Sequence, residues 1–361
     1  MLSQFIFSRS ALAPYGVCME MKARLILCLL VLYCFGCKKP IPSDQVDLYP
    51  IKVGKQYGYI NSVGKIAIPP TFFSVNWFQE NRAIVETAPG RKALIDTSGQ
   101  IVFQDTAVFL HLEYQNGLVK METKDQKTCF LDNLGNTRFC LRDSVLFAES
   151  AFSCERLLVR IEGGIFAYLD ANGAEVYRFR RGFPGNYSED RVRRSFGGRT
   201  CYFDKKGKNL FCVKGRGSDF SNHLARVEEN GHVYFINRKG KKEIISLPYD
   251  LVLPFVNDFA MVKRKGKFGF INTAGTEAIP CLYDQIGYFS SDLLAVRQDK
   301  KKGKWIFVNS QNKQVIAKEF DEVVLPGFRG ELAYVRQDSV WGYINKAGAF
   351  VWKSEKIQKK E

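Results

Sequence analysis

The sequence predicts an all-β protein built from tandem repeats, and three observations support this prediction. An apolar run followed by Asn or Asp, two variable residues and Gly recurs nine times, with one Gly replaced by Asn, and consecutive copies lie 33 to 38 residues apart. Phe (29) and Tyr (16) are abundant, and aromatic side chains fit pleated, half-buried strands. The chain is 46% hydrophobic and 25% charged, which is typical of a folded globular protein and excludes disorder throughout.

Each copy of the four-residue motif predicts the tip of a β-hairpin. Asn or Asp at the first position of a type I turn caps the backbone through its side chain. Gly at the fourth position adopts the left-handed conformation that closes a hairpin with a bulge, and Asn is the next most tolerant residue there. The predicted turn residues at the fourth position are Gly64, Gly99, Gly135, Gly173, Gly207, Gly240, Gly275, Asn312 and Gly348.

The strand before each tip carries two adjacent apolar positions, of which the first is aromatic in eight of the nine copies, as in Tyr59-Ile60. Adjacent residues point to opposite faces of a strand, so both faces are expected to be covered. A small residue often stands one step earlier, as at Gly58, and predicts close approach of a neighbouring repeat. After the tip we expect a second strand that ends at an Ile-Pro pair in some copies, and a third strand, such as residues 82–85, that closes the unit.

A three-stranded unit cannot bury its own faces and must stack on its neighbours. We therefore expect nine three-stranded repeats of about 35 residues over residues 53–352, arranged as a propeller-like ring. The alternative is an open β-solenoid, because the unit is short for a propeller blade and nine copies are many for a closed ring. Residues 353–361 form a charged tail.

Three copies carry a resemblance to a known family. Residues 56–65, 267–275 and 340–348 each contain Gly, an aromatic residue, Ile, Asn, two variable residues and Gly in succession. These segments resemble WG repeats, a bacterial β-repeat. The resemblance covers residues 53–352 and is degenerate in the second to sixth copies. It implies a binding or scaffolding protein and no assigned reaction, so we expect no enzymatic activity.

The N-terminal region predicts export. Lys22 and Arg24 precede an apolar run at residues 25–35, which is shorter than the roughly 20 residues that span a membrane and typical of a secretory signal. The run ends in Gly36-Cys37, which resembles the lipobox of bacterial lipoproteins. The resemblance implies cleavage after Gly36 and a membrane anchor of acyl chains on Cys37. An ordinary cleaved signal peptide is the alternative.

These features divide the remaining chain and place the protein in the bacterial cell envelope, with the outer membrane as the expected site. Translation is expected to start at Met21, so residues 1–20 fall outside the protein proper. Residues 21–36 are the signal peptide, and residues 37–52 are the lipid anchor and a tether with two prolines.

Two pairs of cysteines flank hairpin tips, and they are Cys129 with Cys140 and Cys201 with Cys212. An oxidising compartment makes cross-strand disulfides conceivable. A type I turn with a bulge, however, sets Cys129 opposite Phe139, and the two sulfur atoms of a pair then point to opposite faces of the hairpin. We therefore expect buried small residues at Cys129 and Cys201 and leave disulfides as the alternative.

The basic charge is the feature with functional content, because the net charge is +16 and a dense basic block lies within residues 178–216. Arginine binds phosphate and carboxylate through bidentate hydrogen bonds. Lipopolysaccharide phosphates, an acidic glycan or the acidic face of an envelope protein are the expected partners, unless the charges only keep the tips soluble. The candidate binding residues are Arg178, Arg180, Arg181, Arg191, Arg193, Arg194 and Arg199.

Other kinds of site lack a signal in the sequence. No zinc, EF-hand or nucleophile-elbow motif is present, so we expect no metal, no cofactor and no catalytic residue. Nucleic acid is not an expected partner, because the predicted compartment contains little of it. A glycan-binding alternative would use exposed aromatic platforms, for which the candidates are Trp77, Trp305 and Trp352.

Overall fold

The computed structural model describes residues 47–105, 108–148, 152–244, 247–290 and 292–354, without the side chains of residues 108–115. Residues 1–20, the signal peptide, the predicted lipidation site Cys37, residues 38–46 of the tether and residues 355–361 of the tail lie outside the described residues. Strands dominate the described part, which contains one 3-10 turn at Glu162–Gly164. No described helix is long and apolar enough to cross a membrane.

The strands form nine antiparallel sheets arranged as the blades of a propeller, so the expected ring is confirmed and the open solenoid is not adopted. Seven blades have four strands, and blades 1 and 8 have three. Neighbouring strands in each sheet are consecutive in sequence.

The strands of blades 1 to 3 are β1 (Tyr49–Val53), β2 (Gln56–Ile60), β3 (Ile66–Phe72), β4 (Ser74–Val75), β5 (Arg82–Ala88), β6 (Arg91–Asp96), β7 (Ile101–Gln104), β8 (Val108–Gln115), β9 (Leu118–Thr123), β10 (Thr128–Leu131) and β11 (Thr137–Cys140). Blades 4 to 6 contain β12 (Val145–Ala148), β13 (Leu157–Ile161), β14 (Ile165–Leu169), β15 (Glu175–Phe179), β16 (Phe183–Pro184), β17 (Val192–Phe196), β18 (Arg199–Phe203), β19 (Asn209–Lys214), β20 (Arg216–Gly217), β21 (Leu224–Glu229), β22 (His232–Asn237) and β23 (Lys242–Ile244). Blades 7 to 9 contain β24 (Leu251–Val256), β25 (Phe259–Arg264), β26 (Lys267–Asn272), β27 (Glu277–Tyr283), β28 (Gln285–Ile286), β29 (Leu294–Arg297), β30 (Ile306–Val308), β31 (Glu322–Arg329), β32 (Leu332–Gln337), β33 (Val340–Ile344) and β34 (Phe350–Lys353).

We name the four strand positions of a blade A to D in chain order. Within the described residues, blade 1 has no strand A and blade 8 has no regular strand D. The expected three-stranded unit was wrong in strand number and phase, because residues 82–85 lie in strand B of the blade that contains the following tip. Four of the A strands have only two residues, such as Ser74–Val75, and so short a segment shows no hydrophobic alternation in the sequence. The first strand also begins at Tyr49, before the expected repeat boundary at residue 53, because Leu48 and Tyr49 are already buried.

Blades 1 and 9 pack against each other and close the ring. The Tyr49 hydroxyl accepts a hydrogen bond from the Glu331 amide at 2.9 Å, and the Tyr343 hydroxyl donates to the Pro50 carbonyl at 2.8 Å. Ile60 packs with Tyr343 in the same apolar cluster. Side-chain packing therefore joins the two ends of the ring, and no sheet formed by the described residues combines strands from blades 1 and 9.

The predicted tips contact the preceding blade, which explains why glycine recurs there. All eight tip glycines have positive φ, and Asn312 has φ +59°. A Cβ at Gly240 would lie 2.7 Å from the Phe211 ring in strand D of blade 5. In blade 8 the fourth tip position is Asn312 and not glycine, and its Oδ1 accepts a hydrogen bond from the Tyr283 hydroxyl of blade 7 at 2.7 Å.

The paired apolar positions of strand C face the two neighbouring blades, as expected. Tyr59 packs in the cluster shared with blade 2, whereas Ile60 packs against blade 9. The Tyr59 hydroxyl donates to the Asn76 carbonyl of blade 2 at 2.6 Å, and Tyr168 repeats this bond to Gly185 at 2.6 Å. Burial raises the pKa of both phenols, which keeps them protonated donors.

The small position of strand C faces strand D of the same blade, so the expected approach of a neighbouring repeat was wrong. A Cβ at Gly58 would lie 2.5 Å from the Ile68 carbonyl oxygen. The residues after Ile68, including its two prolines, form a bulge within β3 and do not end the strand. A bulge brings the backbone of strand D over strand C, and only a small residue leaves room for it.

Both tip cysteine pairs form disulfides, so the expectation that they stay unpaired was wrong, although Cys129 and Cys201 are buried as expected. Cys129 pairs in register with Cys140, and Cys201 pairs with Cys212. A bulge between Phe130 and Leu131 shifts the register by one residue and places both sulfur atoms on one face. The predicted register contained only the bulge that belongs to the turn. The second bulge, between Phe130 and Leu131, has no signal in the turn motif.

Candidate functional site

The ring has two faces of different character. The A–B turn and the C–D tip of a blade lie at one end of its sheet, and the B–C turn and the D–A connection lie at the other. We call these ends the tip face and the turn face. The chain enters at the tip face, because Tyr49 pairs with Ile60 beside the first tip.

Acidic side chains occupy the A–B turns on the tip face and act mainly within the ring. The Glu80 carboxylate accepts hydrogen bonds from the Asn116 and Gly117 amides of blade 3 at 2.9 and 2.6 Å. Glu189 accepts the amide of His223 in the next blade at 3.0 Å. The sequence does not single out these carboxylates, because their bonds depend on the turns of two blades lying side by side.

A polar depression of about 430 Å³ lies between the A–B turns of blades 5 to 7, lined by Glu189, His223, Asn257 and Asp258 among others. His223 Nδ1 lies 3.2 Å from Glu189 Oε2, and the His223 side chain is 77% exposed. Among the described residues, no three His, Cys, Asp or Glu side chains converge as metal ligands would. The depression is therefore part of the inter-blade polar network.

Four of the seven predicted binding arginines make intramolecular contacts. Arg178 forms two hydrogen bonds to Glu175 at 2.5 and 2.6 Å, and Arg193 Nε lies 2.9 Å from Asp219 Oδ1. The Arg194 guanidinium stacks 3.6 Å from the centre of the Phe203 ring, and burial lowers its pKa.

Arg191, the fourth of these arginines, donates to the Arg238 carbonyl at 3.3 Å. Arg193 and Arg194 are adjacent in strand β17, and both are half-buried. Arg193 contacts Asp219 of blade 6, and Arg194 lies 4.5 Å from the Phe179 ring of blade 4, so this part of the basic run lies between blades. The charge pattern alone could not separate these arginines from the exposed ones.

The other three predicted arginines, Arg180, Arg181 and Arg199, are exposed on the turn face. Lys214 and Arg216, which are also exposed, lie at the same end of blades 5 and 6. Arg199 pairs with Lys214 across strands β18 and β19. Within the described part of the chain, none of these five cations forms an ion pair.

Blades 7 and 8 carry a second basic sector on the turn face. Their B–C turns contain Lys263, Arg264, Lys265, Lys267, Lys300, Lys301, Lys302 and Lys304. Lys267 lies 2.7 Å from Asp284, and Lys304 lies 3.5 Å from Asp321. Carboxylates of the same face therefore neutralise part of this sector.

The exposed aromatic residues also lie on the turn face, and they are not the predicted tryptophans. Trp305 is buried at 3% exposure, and the Arg329 guanidinium covers Trp77 at 4.4 Å. Trp352 is half-buried beside Tyr343. Instead, the large exposed aromatics of the described chain are Phe73, Phe147, Phe183 and Phe196, with Phe183 at 80% exposure.

Comparison with known proteins finds one family model that matches four segments of the chain. The family model described as WG containing repeat matches residues 57–87, 235–268, 268–305 and 307–341. No curated protein sequence matches the chain.

Similar solved structures have low identity and TM-scores below 0.5. BamB from Moraxella catarrhalis has 14% identity and a TM-score of 0.41, covering 80% of this chain and 95% of its own. Hsv2 from Kluyveromyces lactis has 10% identity and a TM-score of 0.38, covering 66% and 92%. The dihydro-heme d1 dehydrogenase NirN has 12% identity and a TM-score of 0.45, covering 76% and 73%.

Proposed function

Since the chain carries WG repeats in a nine-bladed β-propeller, we propose that it is a lipid-anchored protein of the bacterial cell envelope that binds an envelope partner and catalyses no reaction. The observation that supports binding is the clustering of cationic and aromatic side chains on the turn face. Five exposed cations that form no ion pair within the described chain lie there together with all of its large exposed aromatics, whereas the A–B turn carboxylates serve as inter-blade acceptors and the exposed lysines of the tip face, such as Lys239, have no exposed aromatic beside them. A large exposed patch of one chemical character is typical of an interaction surface.

The point at which the chain enters the ring supports an orientation. Lipid on Cys37 would be followed by a tether of residues 38–47 before the buried Leu48, and an extended residue spans at most about 3.6 Å. The tether joins the ring at the tip face between blades 1 and 9. In this proposal the tip face is turned toward the anchoring membrane, the turn face points away from it, and the outer membrane is the expected anchor.

Metabolic labelling with an alkyne fatty acid tests the anchor. We expect the label on the wild-type protein and none on a Cys37→Ser variant, which should also leave the membrane fraction. Unlabelled wild-type protein, or equal labelling of both proteins, would contradict lipidation at Cys37.

Photo-crosslinking in intact cells tests the partner. A photoreactive amino acid at Arg199 or at Lys301 samples the two basic sectors of the turn face, and the same group at Lys239 samples the tip face as a matched exposed control. We expect one discrete, stoichiometric adduct from at least one of positions 199 and 301 and none from position 239. An adduct of equal yield from position 239, or no adduct from either turn-face position, would contradict a specific binding face.

An anionic glycan is the second candidate partner, favoured by the five exposed cations that form no ion pair within the described chain. Counterion release makes such binding strongly dependent on salt. We expect retention on immobilised polygalacturonate that is lost in high salt and reduced by Arg180→Glu/Arg181→Glu. Passage through the column without retention at low salt would eliminate this candidate.

A further inference from the structure

We infer that the turn face of blades 4 and 5 is the contact surface for an acidic protein partner that offers an apolar pocket, an inference that rests on the proposed binding function. The surface consists of Arg180, Arg181, Phe183, Phe196, Arg199 and Lys214, and we call it the Arg-Phe ridge.

The strand register places the ridge at one end of a single sheet. Phe183 lies opposite Ser195, so it flanks this end on the other face of the sheet from Phe196. The Phe196 ring packs over the backbone of Gly182, where a Cβ would lie 3.0 Å from its Cδ1 atom. Arg199 pairs with Phe196 and in turn with Lys214, so two aromatic residues on strands β16 and β17 are followed by two cations on β18 and β19 at the end of one sheet.

The composition of the ridge separates it from the lysine-rich sector of blades 7 and 8. Aromatic residues and arginine are enriched in protein interfaces, and lysine is depleted there. The ridge combines exposed phenylalanines with three exposed arginines. The other sector is dominated by lysine, and part of its charge is compensated by Asp284 and Asp321, as in a solvated surface.

The chemistry of the ridge favours an acidic protein over a glycan or a membrane. Arginine binds carboxylates through paired hydrogen bonds, and an exposed phenylalanine gains from burial in an apolar pocket. The chain enters the ring on the opposite face, which turns the ridge away from a membrane that holds Cys37.

The test places a photoreactive amino acid at Phe183 in the full chain in the cells that produce it, followed by identification of the adduct. We expect one acidic protein, whose yield falls about tenfold or more in Arg180→Glu/Arg181→Glu because like charges then oppose each other across the interface. Lys265→Glu/Lys301→Glu carries the same charge change in the other sector and should leave the yield unchanged. The identified protein is then purified, and Phe183→Ser should weaken its Kd about tenfold or more.

Each other outcome overturns a stated part of the inference. A lipid or glycan adduct at Phe183 would refute an acidic protein as the partner of the ridge. A protein adduct that tolerates charge reversal, or whose Kd is unchanged in Phe183→Ser, would refute the role of the ridge. An adduct at Lys301 but none at Phe183 would refute the ridge and leave the proposed binding function standing, whereas no adduct at either position would refute both.

Discussion

Replacing a tip glycine tests whether the tips join neighbouring blades or only turn the chain. Gly240 and Gly231 both lie in blade 6 and both have φ +78°. A Cβ at Gly240 would lie 2.7 Å from the Phe211 ring of blade 5, whereas a Cβ at Gly231 would meet nothing within 4 Å. Gly231→Ala is therefore a matched control that carries the backbone strain without the clash.

The magnitudes follow from the two kinds of cost. An alanine in the left-handed conformation destabilises the fold by about 1–2 kcal/mol, and this applies to both variants. Forcing an extra methyl group against a packed ring destabilises it by about 1–3 kcal/mol more, and this applies only to Gly240→Ala. We expect Gly240→Ala to melt about 2–6 °C below Gly231→Ala in a protein of this size.

The assay is thermal unfolding followed by circular dichroism at one scan rate for the wild type and both variants. Equal melting temperatures for the two variants would refute the reasoning, because the tip glycine would then serve the turn alone. A melting temperature of Gly231→Ala below that of Gly240→Ala would refute the reasoning more strongly.

Three further predictions concern the contact between blades 1 and 9, the two tip disulfides, and Cys281, which is a free thiol in the described part of the chain. Tyr343→Phe leaves the Pro50 carbonyl without its donor and should lower the free energy of unfolding by about 1–3 kcal/mol, measured by urea denaturation, and an unchanged value would mean that water replaces the bond. Non-reducing peptide mapping should find both tip disulfides, and their reduction should destabilise the ring by about 2–4 kcal/mol for each; free thiols in the oxidised protein would contradict the observed register. Burial raises the pKa of Cys281, so its thiolate fraction at pH 8 is reduced and iodoacetamide should label it more slowly than free cysteine; equal rates would show an unshifted thiol.

The hairpin tips and the blade cores could be predicted because their signals are local. The tip motif depends on the φ preference of one residue and the capping side chain of another, as at Asn61 and Gly64. The alternation of Tyr59 and Ile60 needs only the geometry of a single strand. The number of repeats and the all-β class follow from nine copies of these local signals.

The ridge and the acidic turns could be predicted only in part. The sequence indicated a basic block, but Arg194 stacks on Phe203, whereas Arg199, the first residue of strand β18 after the B–C turn, lies on the surface. Phe183 lies in a strand of two residues, which has no pattern that would reveal its exposure. The Glu80 carboxylate gains its partners from blade 3, a neighbour that only the folded ring supplies.

Sequence alone therefore determined the repeat unit, its turns and its alternating apolar faces, because these depend on residues close together in the chain. Tertiary structure decided the phase of the blades, the register that joins Cys129 to Cys140, and the closure of blade 1 on blade 9. These features depend on contacts between segments whose pairing is set by bulges and by packing across blades. A periodic sequence repeats the same local pattern in every copy, so only three-dimensional packing decides which copies contact each other.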